Sequence, residues 1–390
     1  MIYLDYNATT PLCQPALEAM RPLLTEHFGN PSSVHMAGRE ARAAVDAARD
    51  RLAGLLDAQP HELIFTSGGT ESNNLAILGL ARARRNRGRH LICASTEHHA
   101  VLNTFAHLRD REGYDVTFLG VDGEGRVDPD DFKRSIQTGT ILASIMTANN
   151  ETGVLHPVNE LAELCRERGL LLHSDMVQSF GKTETSVGRS AVAAASFAAH
   201  KFHGPKGAGL LYLRAGIPIE AVQFGGAHEN QRRPGTENVP AIAGMAAAAE
   251  WILRDRMVEQ ERQRALRDRL WEQIRNSIPS ARQNGDPANR LANTINISFP
   301  GFDSETILMA LDLEGLCASS GSACMVGSVV ASHVLLAMGL PQSSAGTAIR
   351  FSLGHETTPD EIERASQIVE KVMHRLSSTK SQAATEVYAA

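Results

Sequence analysis

Residues 90–121, HLICASTEHHAVLNTFAHLRDREGYDVTFLGV, read as strand, helix and strand in succession. HLICAST is a short apolar run. AVLNTFAHLRDREG places apolar side chains at helical spacing and closes on a glycine, and YDVTFLGV returns to β-forming residues. The same alternation continues with LIF from Leu63, TILASIM from Thr140, LLLHSD ending at Asp175, and GLLYL at 209–213, with PVNELAELCRERG as a further helical connector. Strands joined through helices return in the same direction, so the expected fold class is α/β with a largely parallel sheet.

Before these strands, an Ala- and Arg-rich helix is expected from about Ala37 to Leu56. WILRDRMVEQERQRALRDRLWEQIRN, at 251–276, has the periodicity of one long connecting helix. Beyond it NTINISF, ETILMALDLEGL, IRFSLG and TPDEIERASQIVEKVMHRL repeat strand and helix on a smaller scale. Thr-Pro-Asp-Glu marks the last helix start. The expected division is a large domain at 14–260, a smaller α/β C-terminal domain formed by 1–13 and 261–376, and a disordered tail at 377–390, where the apolar period stops.

The chain has 390 residues, 43% hydrophobic and 21% charged, enough to bury a large core, the composition of an ordinary globular protein. A formal charge of −6 gives no whole-surface attraction for nucleic acid or anionic lipid. The basic run RARRNRGR at 82–89 reads as a solvated helix end. No apolar run is long enough to span a bilayer, and MIYLDYNATTP carries neither a basic leader nor a signal-type stretch, so a cytoplasmic location is expected. Cys13, Cys93, Cys165, Cys317 and Cys324 are widely spaced, a pattern that suits neither a disulfide framework nor a metal site.

Three segments carry chemistry. In FTSGGTESNN (65–74), two glycines between an apolar run and a helix let backbone N–H groups around Gly69 and Thr70 converge on an anion such as phosphate. Alone, such a turn more often merely connects strand to helix. Asp175 follows LLLHS at a strand's carboxyl end, the edge where open α/β sheets hold ligands; a carboxylate there keeps a pyridinium nitrogen protonated, although a lone aspartate is more often a cap. Lys201, in SFAAHKFHGPKG, sits between small apolar residues and a Gly-Pro turn, which suits an amine forming a Schiff base. Lys206, between Pro205 and Gly207, suits a solvated turn.

Taken in order, TSGGTESNN, TEHHAVLNT, ANNETG, HSDMVQSFGK, AHKFHGPKG, RRPGTEN and SSGSAC with IRFSLG closely resemble the cysteine desulfurases, in their NifS/IscS-like branch. The likeness runs from YLDYNATTP through the helix after IRFSLG. It implies a fold-type-I transferase dependent on pyridoxal 5'-phosphate, usually a homodimer, that converts L-cysteine to L-alanine. The sulfur passes to an active-site cysteine as persulfide, for a sulfur acceptor or iron–sulfur scaffold protein.

By the same resemblance Lys201 carries the cofactor as an imine, Asp175 pairs with the ring nitrogen, and His98 stacks on the ring and shuttles protons. Asn150 and Gln178 flank the ring oxygen, with Asn150 also beside the substrate. Gly69, Thr70 and His200 hold the phosphate together with Thr236, which reaches across from the other subunit, and Arg350 clamps the substrate carboxylate. The chemistry agrees: a planar guanidinium matches a carboxylate, and a helix N-terminus with hydroxyls suits a phosphate dianion.

Cys324 is the expected sulfur acceptor because Ser319-Ser320-Gly321-Ser322-Ala323 before it and Gly327 after it free the backbone, whereas Cys317 lies in an apolar run. The sequence departs from the family's pattern twice. MVGSVVASHVL follows Cys324 where a polar stretch ending in Leu-Glu-Pro is usual, with Met325, Val326, Val329 and Val330 apolar. Ala198 stands where many relatives have a phosphate-binding serine. A selenocysteine or cystine lyase, which needs no Cys324, and a cofactor-holding scaffold with little activity are the competing readings.

Overall fold

The computed structural model describes residues 1–321 and 331–389, with side chains through residue 378. The segment 322–330, with Cys324, Met325, Val326, Val329 and Val330, lies outside the described residues.

After the short strand β1 (Ile2–Tyr3) come seven strands of one sheet: β2 (Leu63–Thr66), β3 (His90–Ala94), β4 (Asp115–Leu119), β5 (Thr140–Ser144), β6 (Leu171–Asp175), β7 (Ala194–Ala198) and β8 (Gly209–Leu213). Their spatial order is β2-β8-β7-β6-β5-β3-β4, parallel throughout except β8, which runs antiparallel to both β2 and β7. This is the α/β architecture with a mostly parallel sheet. Strands β3, β5, β6, β7 and β8 are buried along their whole length, because helices cover both faces and leave no solvent side to alternate with.

Two expectations from the sequence need correction. Strand β7, with the sequence AASFA, was not among the expected strands; alanine has little β preference, and burial between β6 and β8 decides its conformation. The single long helix at 251–276 is instead two, Val239–Arg254 and Arg256–Ser277, broken at Asp255 (φ −118°, ψ 24°).

A second group of elements packs on its own core. β9 (Arg282–Asn284), β10 (Thr294–Ser298) and β12 (Ala348–Ser352) form an antiparallel sheet ordered β12-β10-β9, while β1 pairs in parallel with β11 (Leu316–Cys317). Ile2 and Leu4 from the N-terminal segment share this core with Leu270, Ile274, Ile297, Phe351, Ile362 and Val369. The last helix, Pro359–Ala389, starts with a reciprocal cap: the Glu361 N–H donates to Thr358 Oγ1 (3.2 Å) and the Thr358 N–H to Glu361 Oε2 (3.0 Å). Its backbone stays helical through 377–389, where the sequence reading places a tail; Ala and Gln there are favourable helix residues. Among the described residues no helix is long and apolar enough to cross a membrane.

Candidate active site

Parallel strands send every following turn to the same edge of the sheet, and here that edge collects the reactive side chains. β2 turns at Ser67 and Gly68 into the helix Gly69–Arg84, whose N-terminus has no side-chain cap and lines a cleft of about 330 Å³. A Cβ on Gly69 would meet Val177 Cγ2 at 2.7 Å, so this glycine lets the helix start press against the turn after β6. Glu71 braces the turn, accepting from the Ser67 N–H (2.7 Å) and from Arg233 Nε (2.7 Å).

Asp175 ends β6. One carboxylate oxygen accepts from Asn73 Nδ2 (2.7 Å) and the other from the Val177 N–H (2.9 Å), which fixes its orientation. His98 follows β3 and caps the helix His99–Glu112. Its Nδ1 accepts from the Ala100 N–H (3.0 Å), so the neutral ring carries its proton on Nε2. Burial pushes the His98 pKa down, against the pull of Asp175, and favours that neutral form.

β7 leads into the turn Ala199–Lys201. Lys201 Nζ donates to the backbone carbonyls of Asn7 (2.6 Å) and Ala8 (2.9 Å), while Lys206 is exposed. His200 Nδ1 lies 3.2 Å from Thr9 Oγ1, and burial lowers the His200 pKa to about 4. Gln178 Nε2 donates to the Asn7 carbonyl (2.9 Å).

From β12 comes Arg350, 4% exposed, with Nη2 donating to Asp5 Oδ1 (2.7 Å) and Nη1 to the Asn150 carbonyl (2.9 Å). Its buried Nε has no hydrogen-bond partner among the described residues. An uncompensated donor on a held guanidinium is a ready position for an incoming carboxylate.

The cleft thus brings together Gly69, Thr70, His98, Asn150, Asp175, Gln178, His200, Lys201 and Arg350. Thr236 is not among its lining residues and is exposed. Cys324 lies outside the described residues, but Gly321 and His333, on either side of segment 322–330, both line the cleft. Burial raises the thiol pKa of each described cysteine, Cys13, Cys93, Cys165 and Cys317, and disfavours a thiolate at all four.

Sequence reasoning missed Asn7, Asn73 and Lys182. Lys182 Nζ donates to Asn7 Oδ1 and Gln178 Oε1, both at 2.9 Å, and burial, with Lys201 and Arg350 near, holds its pKa well below the ordinary value. Asn7 and Lys182 both stand inside quoted motifs, YLDYNATTP and HSDMVQSFGK, but their roles come from a contact between segments far apart in the chain.

The pattern of the aminotransferase class-V family matches residues 2–365. The cysteine desulfurase IscS of Dictyoglomus turgidum is 45% identical over 375 residues, covering 96% of this chain and 95% of that protein. A solved NifS-like protein superimposes with a TM-score of 0.90 at 35% identity, covering 96% of this chain and 99% of the other. SspA in complex with cysteine superimposes with a TM-score of 0.80 at 34% identity, covering 90% and 99%. The chain therefore belongs to the aminotransferase class-V family, within its cysteine desulfurases.

Proposed function

We propose that the protein takes sulfur from L-cysteine and releases L-alanine, with pyridoxal 5'-phosphate held in the cleft and Cys324 receiving the sulfur as a persulfide. The observation that carries this reading is the convergence of Lys201, Asp175, His98 and Arg350 on one cleft that the residues flanking segment 322–330 also line. The fit to the cofactor rests on three features: an uncapped helix N-terminus beside Thr70 and His200 for a phosphate, an oriented carboxylate at Asp175 for a ring nitrogen, and an amine at Lys201 for a covalent link. Pyridoxal phosphate supplies an electron sink for the bond-breaking at the substrate.

The chain's own residues do the rest. The Arg350 guanidinium, held by Asp5 and the Asn150 carbonyl, binds the substrate carboxylate and orients the amino acid. The Lys201 amine moves the proton at the substrate Cα, and His98, neutral with its proton on Nε2, offers a second proton carrier. The Cys324 thiolate attacks the substrate sulfur. An S–S bond forms, the Cβ–S bond breaks with its electron pair staying on carbon, and protonation of that carbon yields alanine.

Thr236, exposed and apart from this chain's cleft, acts on the phosphate only from a second copy, so we place the enzyme as a homodimer. Phe28, Val34, Met36 and Phe224, the last 93% exposed, offer apolar surface for it. A sulfur acceptor or iron–sulfur scaffold protein then draws the persulfide sulfur, and a cytoplasmic setting belongs to the same reading.

The test is alanine release from L-cysteine under dithiothreitol by wild type and Cys324→Ala, beside the visible spectrum of the bound cofactor. Alanine that disappears in the variant with the spectrum intact supports the desulfurase. Unchanged turnover would transfer the assignment to a selenocysteine or cystine lyase, and no alanine from wild type with an intact spectrum would favour the scaffold.

A further inference from the structure

Glu151 is a buried carboxyl at the cleft that the scheme above leaves without a task. Its Oε2 accepts from the Ser332 hydroxyl at 2.5 Å, and a Cβ on Gly321 would overlap the same carboxylate. The backbone on both sides of segment 322–330 therefore rests on one side chain. Ser332 also caps the helix His333–Ala337 through its contact with the Leu335 N–H (3.2 Å), so the Glu151 contact is passed directly to a regular element. Next along, His333 Nε2 meets the Glu97 carbonyl at 2.9 Å, one residue before His98.

The residue preceding Glu151 closes the connection to the substrate side. The Asn150 carbonyl accepts from Arg350 Nη1 (2.9 Å) and from Asn7 Nδ2 (3.3 Å), and Asn7 in turn accepts Lys201 Nζ at its own carbonyl (2.6 Å). The chain around Glu151 is fixed as well, since its N–H and that of Thr152 both donate to Asn149 Oδ1 at 2.9 Å. Two neighbouring residues thus touch the carboxylate clamp on one side and both flanks of the cysteine-bearing segment on the other.

We propose that Glu151 is a positioning residue for sulfur transfer, setting where the flanks of segment 322–330 stand relative to the Arg350 clamp; this rests on the desulfurase reading. Burial raises the Glu151 pKa, consistent with a carboxyl that serves as a hydrogen-bond acceptor and a packing surface. Its loss would leave Ser332 without an acceptor and Gly321 without a wall. Misplacement of a reacting group by about 1 Å costs on the order of a hundredfold in rate.

The experiment compares wild type, Glu151→Ala, Glu151→Gln and Ser332→Ala as holoenzymes. It measures kcat and KM for alanine release from L-cysteine, and the change in the visible cofactor band on adding L-cysteine. Glu151→Ala is expected to lower kcat by about tenfold or more with KM within about twofold and the cysteine-induced spectral change retained, because substrate docking does not pass through Glu151. Glu151→Gln, which keeps an acceptor for Ser332, is expected to restore most of kcat. A loss confined to KM, a lost spectral response, or equal loss in Gln and Ala would overturn the proposal. If Glu151→Ala does not give folded protein, Ser332→Ala decides: a several-fold fall in kcat with the spectral response retained supports it, and an unchanged kcat refutes it. A wild type that makes no alanine would fail the desulfurase reading instead.

Discussion

The backbone carbonyl of Asn7 accepts from Lys201 Nζ at 2.6 Å and from Gln178 Nε2 at 2.9 Å, so a residue seven positions into the chain holds two cleft residues that lie far downstream. The Asn7 side chain fixes that carbonyl in turn, donating to Thr294 Oγ1 (2.9 Å) and accepting from Lys182 Nζ (2.9 Å) and Asn293 Nδ2 (3.2 Å).

Asn7→Ala removes these buried contacts, leaving Lys182 with Gln178 Oε1 and Asn293 Nδ2 with the Leu353 carbonyl. A lost buried partner costs about 1–3 kcal/mol, so the urea midpoint of the holoenzyme should fall by a corresponding amount. The pH at which the visible cofactor band changes should move too, because the backbone carbonyl that accepts from Lys201 is kept but loses the side-chain contacts that anchor it. A variant with both quantities unchanged would show that the Asn7 side chain holds nothing in place.

The two lysines of AHKFHGPKG are separated by their surroundings, with Lys201 in the cleft and Lys206 exposed. Lys201→Ala should leave protein that loses pyridoxal phosphate on gel filtration and makes no alanine. Lys206→Ala should keep both band and activity near wild type. The reverse pattern would move the covalent site to Lys206.

Strands ending at Asp175 and before His98 were legible because apolar runs with clear boundaries dictate a buried strand, and the motifs supplied roles for the side chains that follow. Strand β7 was not, since the alanines of AASFA carry no strand preference and only the neighbours β6 and β8 make it one. Asn7, Glu151 and Lys182 were quoted within motifs but given no part. Their work depends on pairings across the chain, such as Glu151 with Ser332 and Asn7 with Lys201, that no local spacing encodes. The break at Asp255 inside a helical period is of the same kind, because periodicity reports which faces are buried and not whether the axis is continuous.

His173 in β6 lies between Ser144 Oγ and Ser196 Oγ, both 2.9 Å from its ring nitrogens, and burial lowers its pKa from 6.5 to about 3. Because the folded value is below the unfolded one, the unfolded chain takes up this proton first, and stability falls as pH drops below about 6.5. A neutral histidine held this way costs about 2 kcal/mol of stability between pH 6.5 and 4.5, against the limiting slope of about 1.4 kcal/mol per unit. His173→Gln should be less stable at neutral pH, having lost fitted hydrogen bonds, yet lose less on acidification by about that 2 kcal/mol. Urea denaturation at the two pH values checks it, and parallel losses in both proteins would refute the assignment.

Ala198 ends β7 in the lining of the cleft, and a Cβ built on Gly69 would lie 3.5 Å from the Ala198 Cβ, which places position 198 against the uncapped start of the helix Gly69–Arg84. A serine there adds a hydroxyl donor where the chain now offers a methyl. A hydrogen bond to a charged group contributes about 1.5–3 kcal/mol, so Ala198→Ser should tighten pyridoxal phosphate binding to the apoprotein by about tenfold to a hundredfold. The gain should shrink for pyridoxal lacking the phosphate, because the added donor addresses that group alone. Equilibrium dialysis of both compounds against both proteins makes the measurement. An equal gain for the two would mean that the hydroxyl acts on the ring or the lysine, and no gain for either would mean that position 198 does not face the phosphate.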